Sequence, residues 1–232
     1  MDNILEINNL VKRIGSKNIL NGLTFNLDKG KVLGIMGPNG NGKTTLLNII
    51  QGFLRPTVGE VQINGISLGV ETKKLVSFLQ DNVPYNKSMK IKEAVKFYET
   101  FFEDFDRDKM ASLLVSMKLD PNMKIRNLSK GMKEKLSLSL TLSRKVKLYM
   151  LDEPISGVDP VAREKILDTI IDSISEDSSL IITTHYVGEL ERIFDEVLFL
   201  GDGVIVDKGD AEDMRIKYGM SIDGIYRKLF AE

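Results

Sequence analysis

Two stretches of this sequence are suited to holding anions, and they lie far apart. The first is GPNGNGKTT, Gly37 to Thr45, which fits the pattern G-x-x-x-x-G-K-[ST]. Its glycines let backbone N–H groups converge on phosphate oxygens, which a Cβ would obstruct. A helix starting here adds the positive end of its dipole. Gly37, Asn39, Gly40, Asn41 and Gly42 are thus candidates for a phosphate loop. Lys43 suits the β- and γ-phosphates of a nucleotide, the Thr44 hydroxyl a Mg2+ ion, and Thr45 the α-phosphate. The second stretch is LSKGM, Leu128 to Met132. By its residues alone it is an ordinary helix start, with Ser129 as the cap.

A phosphate loop needs acidic and polar partners, and the chain carries them. LYMLDEP, Leu148 to Pro154, is an apolar run that ends in two adjacent carboxylates. Asp152 is placed to hold Mg2+, and Glu153, pointing the other way, to polarise an attacking water as general base. The only histidine, His185, ends the run IITTH. Parallel sheets bind ligands beyond the carboxyl ends of their strands. Three motifs at three strand ends therefore define one site, in which His185 touches the γ-phosphate or orients the water.

The elements that must position these residues follow from periodicity. KVLGIM (31–36) is continuously apolar, as in a strand buried on both faces. TTLLNIIQ (44–51) reads as a helix stopped by Gly52. Leu23, Phe25 and Leu27 alternate with polar residues, as in a half-buried strand, and Asn64-Gly65 between VQI and ISL signals a hairpin. From Ile91, apolar residues recur at helical spacing through Val95, Tyr98 and Phe102, and Leu113, Leu114 and Met117 suggest another helix. Residues 82–146 thus read as a helical insertion. KLYML (147–151), REKILDTIIDSI (163–174) and SLIITT (179–184) form a strand–helix–strand unit, hence a parallel pair. VLFL-GDG-VIV (197–206) reads as a closing hairpin. LSLSLTLS (136–143) alternates strictly, a strand pattern.

Composition bounds the possibilities. The 232 residues suit one large domain, with 42% hydrophobic and 28% charged residues. Lys plus Arg is 32 against 33 Asp plus Glu, so the basic excess of a nucleic-acid binder is missing. There is no cysteine, which fits a reducing compartment. The start MDNILEINNL does not read as a signal peptide, and no apolar run approaches the ~18 residues of a membrane span. The expectation is a chain soluble by itself, whose membrane role would come through a partner.

The order of these motifs resembles the ATP-binding cassette family over essentially the whole chain. It is most similar to bacterial cassettes of multidrug, peptide and lantibiotic exporters whose membrane subunits are separate chains. The resemblance implies an α/β fold: a RecA-like P-loop core with a mostly parallel sheet, an N-terminal antiparallel β subdomain and an inserted α-helical subdomain. It implies a single domain over 1–232, with 1–81 and 147–232 as core and 82–146 as the helical part. It implies an ATPase that uses ATP and Mg2+.

Gln80 matches the family's Q-loop glutamine, a ligand of Mg2+ that also senses the docked partner. Asp159 in SGVD (156–159) matches the aspartate that couples two sites across the interface. LSKGM matches the signature, which faces the phosphate loop of a second cassette. Leu128, Ser129 and Gly131 would then act in trans in a head-to-tail pair sandwiching two ATP molecules. An anion-binding helix start at Ser129 requires a helix to follow, so the resemblance makes LSLSLTLS helical.

Further implications are separate transmembrane permease subunits, a peripheral position at the cytoplasmic face, and a permease groove that includes part of Asp81 to Lys90. Three positions depart from the family. Lys130 stands where glycine is usual and Met132 where glutamine is usual. Ile14 stands where an aromatic side chain commonly stacks on adenine, which implies weaker ATP binding. Two other classes compete: a regulatory nucleotide-binding cassette with little hydrolysis, and a soluble non-transport ATPase. Too few residues separate Lys43 from Leu128 for the coiled coil of repair members, and one cassette is too few for translation members.

Overall fold

The computed structural model describes residues 2–79, 86, 88–156, 159–175 and 177–230, and no side chains for 160–162. The strands are β1 (Asn3–Ile14), β2 (Lys17–Asp28), β3 (Val32–Met36), β4 (Val58–Ile63), β5 (Ile66–Ser67), β6 (Val76–Leu79), β7 (Leu148–Asp152), β8 (Ser179–Thr184), β9 (Glu196–Gly201) and β10 (Val204–Asp210). The helices are α1 (Lys43–Ile50), α2 (Val70–Lys74), α3 (Ile91–Phe101), α4 (Arg107–Ser116), α5 (Lys130–Leu142), α6 (Pro160–Ser173), α7 (Val187–Leu190), α8 (Ala211–Tyr218) and α9 (Ile222–Phe230).

Two sheets result, one of four strands in the order β2-β1-β4-β5 and one of six in the order β10-β9-β3-β8-β7-β6. The first is antiparallel. The second is parallel except for the β9–β10 hairpin at its edge. This is the α/β architecture that the sequence implies.

The continuous apolar runs are strands buried on both faces. Leu148 and Met150 of β7 and Leu198 and Leu200 of β9 face a core shared with β1, β2, β4 and α1. Their neighbours Tyr149, Leu151, Val197 and Phe199 face a second core, under the helices that follow β6. Alternation along each strand therefore serves two cores rather than one core and solvent. The Asn64-Gly65 hairpin forms as read, with φ of 52° and 73° at its two turn residues and Ile63 opposite Ile66.

Between β6 and β7 the chain runs through α3, α4 and α5. Arg144, just past α5, ties this segment back to the sheet. Its guanidinium donates to Asp104 Oδ1 and Oδ2 at 3.0 and 2.8 Å and to the Val76 carbonyl of β6 at 2.9 Å. It also lies 4.1 Å from the Phe102 ring centroid.

LSLSLTLS is helical. Inside α5 and at its end, hydroxyls bond the carbonyl one turn back: Ser139 to Lys135 (2.8 Å), Thr141 to Ser137 (2.9 Å) and Ser143 to Ser139 (2.7 Å). The small polar residues are thus satisfied within the helix, and both sides of it can be buried. The sequence reading did not separate β1 from the rest of the first third, nor did it anticipate α8 and α9. Among the described residues no helix is long and apolar enough to cross a membrane.

Candidate functional site

Register brings the motifs together. In the parallel ladder Met36 of β3 lies opposite Thr184 of β8, and Thr183 of β8 lies opposite Asp152 of β7. The residues that follow each strand, Gly37, Glu153 and His185, therefore leave adjacent strands at the same edge of the sheet.

The loop after β3 bends into α1 without a side-chain cap. The position before the helix is Gly42, with φ of 98° and no capping hydrogen bond, and no acidic residue sits in the first turn. The first intrahelical bond runs from Leu46 N–H to the Gly42 carbonyl. The amides before Leu46 thus have no helical acceptor, which leaves a set of N–H groups for an anion.

The glycines serve different ends. A Cβ at Gly37 would lie 2.0 Å from the Leu200 carbonyl oxygen, and one at Gly42 would lie 2.6 Å from Leu20 Cδ2. Packing within the chain therefore demands glycine at those two positions. At Gly40 a Cβ would meet nothing within 4 Å, so only its φ of 83° and the room left for a ligand favour glycine there. Asn39 and Gly40 are exposed at the loop tip, and Asn41 is half-buried.

Lys43 folds back over the loop. It is 6% exposed, and its Nζ donates to the Gly37 carbonyl at 2.7 Å and to the Pro38 carbonyl at 3.2 Å. Burial pushes its ammonium below the usual lysine range, and the Glu153 and Asp152 carboxylates oppose that shift. Thr44 Oγ1 donates to Asp152 Oδ2 at 2.8 Å. The other Asp152 oxygen accepts from Thr183 Oγ1 at 2.5 Å. Thr183 was not among the residues singled out from the sequence. Its signal was its place in the run IITTH, two residues before His185.

Glu153 has φ of 50°, an uncommon conformation for a residue with a side chain. Its N–H donates to the Thr183 carbonyl at 3.1 Å, which carries the chain across the end of β8. One carboxylate oxygen, Oε2, meets the His185 Nδ1 at 2.9 Å and the His185 N–H at 3.3 Å. A carboxylate only accepts, so the Nδ1 proton points at Glu153 and Nε2 is left for another partner.

The remaining candidates lie elsewhere. Ser129 caps α5, its Oγ accepting from Met132 N–H at 3.2 Å. Leu128 is buried, Gly131 half-buried and Lys130 exposed, 3.8 Å from Glu134. The Met132 side chain packs against the core. Ile14 is 53% exposed at the end of β1 and pairs with Lys17. It shares a hairpin with Ile19 and Leu20, which abut Gly42. Asp159 is exposed just before α6. Gln80, and Asp81 to Tyr85 with Lys87 of the expected groove, lie outside the described residues.

The donor set fits a nucleotide with a divalent cation. The open amides and Lys43 suit phosphate, while the Thr44 hydroxyl and Asp152 carboxylate are two hard oxygens side by side. Among the described residues no cluster of three His, Cys, Asp or Glu could hold a metal by itself. Such a pair suits Mg2+, which keeps waters and takes phosphate oxygens as further ligands.

Comparison with known proteins agrees with this chemistry. Residues 20–156 match the family model described as ABC transporter. The ABC transporter ATP-binding protein YtrB of Bacillus subtilis (strain 168) is 28% identical over 218 residues, covering 93% of this chain and 75% of its own length. The lantibiotic transport ATP-binding protein SrtF of Streptococcus pyogenes is 29% identical over 205 residues, covering 88% of this chain and 89% of its own length. A solved structure described as the ATP-binding subunit of an ABC transporter superposes with a TM-score of 0.89 at 26% identity, over 97% of this chain and 99% of that one. The chain belongs to the ABC transporter family. It is an ATP-binding, ATP-hydrolysing subunit of that family.

Proposed function

We propose that this chain is the motor of an exporter, working as one of two cassettes that close head-to-tail around ATP and Mg2+. The observation that carries this reading is the convergence of Lys43, Thr44, Asp152, Glu153 and His185 at the ends of three neighbouring strands. Export is supported by relatives such as the Nod factor export ATP-binding protein I of Rhizobium etli, 28% identical over 218 residues. The residues between β6 and β7, taken as a helical arm over 82–146, carry the signature. The core, 1–81 and 147–232, carries the phosphate loop.

The roles divide as follows. Gly37 to Thr45 cradle the phosphates, with Lys43 neutralising the β- and γ-phosphates. Thr44, Asp152 and Gln80 hold Mg2+, which supplies charge neutralisation on the transferred phosphoryl group. Glu153 takes a proton from the attacking water. His185, bonded to Glu153 through Nδ1, fixes that carboxylate and offers Nε2 to the γ-phosphate. Ile14 packs on the base. Leu128, Ser129 and Gly131 complete the partner's site, and Asp159 lies at the shared interface. Separate permease subunits hold the pair at the inner face of the membrane.

Light scattering of Glu153→Gln protein tests this reading. The substitution keeps the site's shape and removes the base. A monomer that becomes a dimer only with Mg-ATP supports the sandwich. A protein that binds Mg-ATP yet stays monomeric, alone and with its permease, overturns it. Neither a regulatory cassette nor a soluble non-transport ATPase is favoured by a specific observation.

A further inference from the structure

Both acidic residues of the site lean on one threonine. Thr183 is fully buried and lies opposite Asp152 in the parallel pairing of β8 with β7. Ile181 of β8 and Met150 of β7 face the core shared with α1. Side chains alternate along a strand, so Thr183 and Asp152, two residues further on, point to that same side. There the Asp152 carboxylate is held from two flanks. Its Oδ2 accepts from Thr44 of α1 at 2.8 Å, and its Oδ1 accepts from Thr183 of β8 at 2.5 Å.

Thr183 also holds the residue that follows Asp152. The Glu153 N–H donates to the Thr183 hydroxyl at 3.3 Å as well as to its carbonyl at 3.1 Å. That amide belongs to the residue with φ of 50°, whose carboxylate meets His185. One hydroxyl therefore accepts from the Glu153 amide and donates to the Asp152 carboxylate. A carboxylate only accepts and an amide N–H only donates, so the group between them must do both. A hydroxyl can, and a valine of the same shape cannot. The neighbouring Thr184 serves a different group, its hydroxyl accepting from Tyr186 N–H at 2.8 Å.

We infer that Thr183 is a positioning residue for both carboxylates: it orients Asp152 toward Mg2+ and fixes the backbone from which Glu153 reaches the water. This rests on the reading of the site as an ATPase that uses Mg2+. In that reading Thr44 is itself a metal ligand, which leaves Thr183 as the partner that orients Asp152.

Thr183→Val tests this, because it keeps the branched shape favoured in a buried strand and removes only the hydroxyl. Binding of a fluorescent, non-hydrolysable ATP analogue is measured with Mg2+ and with a chelator. Affinity in chelator should match wild type. The factor by which Mg2+ tightens binding should shrink about tenfold, the order expected when a metal-site carboxylate loses its orienting partner. In the ATPase assay at saturating Mg2+, kcat should fall about tenfold with KM for ATP nearly unchanged. Thr183→Ser keeps the hydroxyl and should restore both values. If Thr183→Val does not fold, Thr183→Ala carries the same comparison. A Mg2+ factor equal to wild type overturns the inference. So does a kcat equal to wild type, or a serine variant as impaired as the valine one. If instead Glu153→Gln hydrolyses ATP as fast as wild type, the ATPase reading of the site fails. The Mg2+ factor still decides whether Thr183 orients Asp152.

Discussion

Two helices of this protein begin at sites suited to anions, and they begin in opposite ways. At α1 the capping position is a left-handed glycine, and the first-turn amides have no side-chain acceptor. At α5 the capping position is Ser129, whose own hydroxyl takes the Met132 N–H. The first terminus is surrounded by its own chain's chemistry, with Lys43 over the loop and Asp152 against Thr44. The second is exposed, self-capped and flanked by Lys130. A terminus whose cation and carboxylates come from its own chain can take an anion before a second molecule arrives. A capped, exposed terminus is stable alone, so anything it binds must come from outside. The contrast explains how one chain can carry two stretches suited to anions without bringing them to one place.

The largest test of this contrast is Lys43→Ala. It removes the cation from the α1 site and should cut hydrolysis about a hundredfold or more, as loss of a preorganised charge group does. A steady-state ATPase assay reads it, and activity within a few-fold of wild type would break the comparison.

Making the two termini alike is the next test. Gly42→Ser would give α1 a cap like that of α5, but at a φ of 98° and against Leu20 and the Ile19 carbonyl. The strain should lower unfolding stability by about 2 kcal/mol. Nucleotide binding should be lost as well, because the new hydroxyl competes for the loop amides. Urea unfolding and fluorescent-nucleotide titration check both.

Ser129→Ala works on the other end. Loss of the cap should cost about 1 kcal/mol. Nucleotide binding to the isolated chain should be unchanged, because α5 takes no part in its own chain's site. A fall in isolated-chain affinity would contradict the division drawn above.

The smallest expected effect concerns the α1 site. Ile14→Tyr places a π face on the hairpin beside Gly42 and should tighten ATP binding about two- to tenfold. Calorimetry of wild type and variant decides it.

The phosphate loop and the acidic strand end were legible because each is contiguous. GPNGNGKTT lies between a run of buried-strand residues and a helix, and LYMLDEP carries its carboxylates at a strand end. Thr183 was less legible. It lies in the strand run SLIITT, but it meets the site through Asp152, far away in sequence. LSLSLTLS was misleading by itself. Its alternation favours a strand, and the hydroxyls that bond back to the carbonyl one turn earlier are invisible to a count of apolar positions.

By itself, the sequence determined what local chemistry determines: a glycine-rich anion loop, a buried strand ending in two acids, hairpin turns, and the family to which the motif order belongs. These follow from a few adjacent residues and the short-range sterics and hydrogen bonds they permit. The tertiary structure alone decided which strand ends are neighbours, and so which groups meet. It placed β8 between β3 and β7, set Thr183 against Asp152 and His185 against Glu153, and packed α9 against α7. Such pairings depend on how two cores fill the two faces of one sheet, and no short stretch of the chain carries that information.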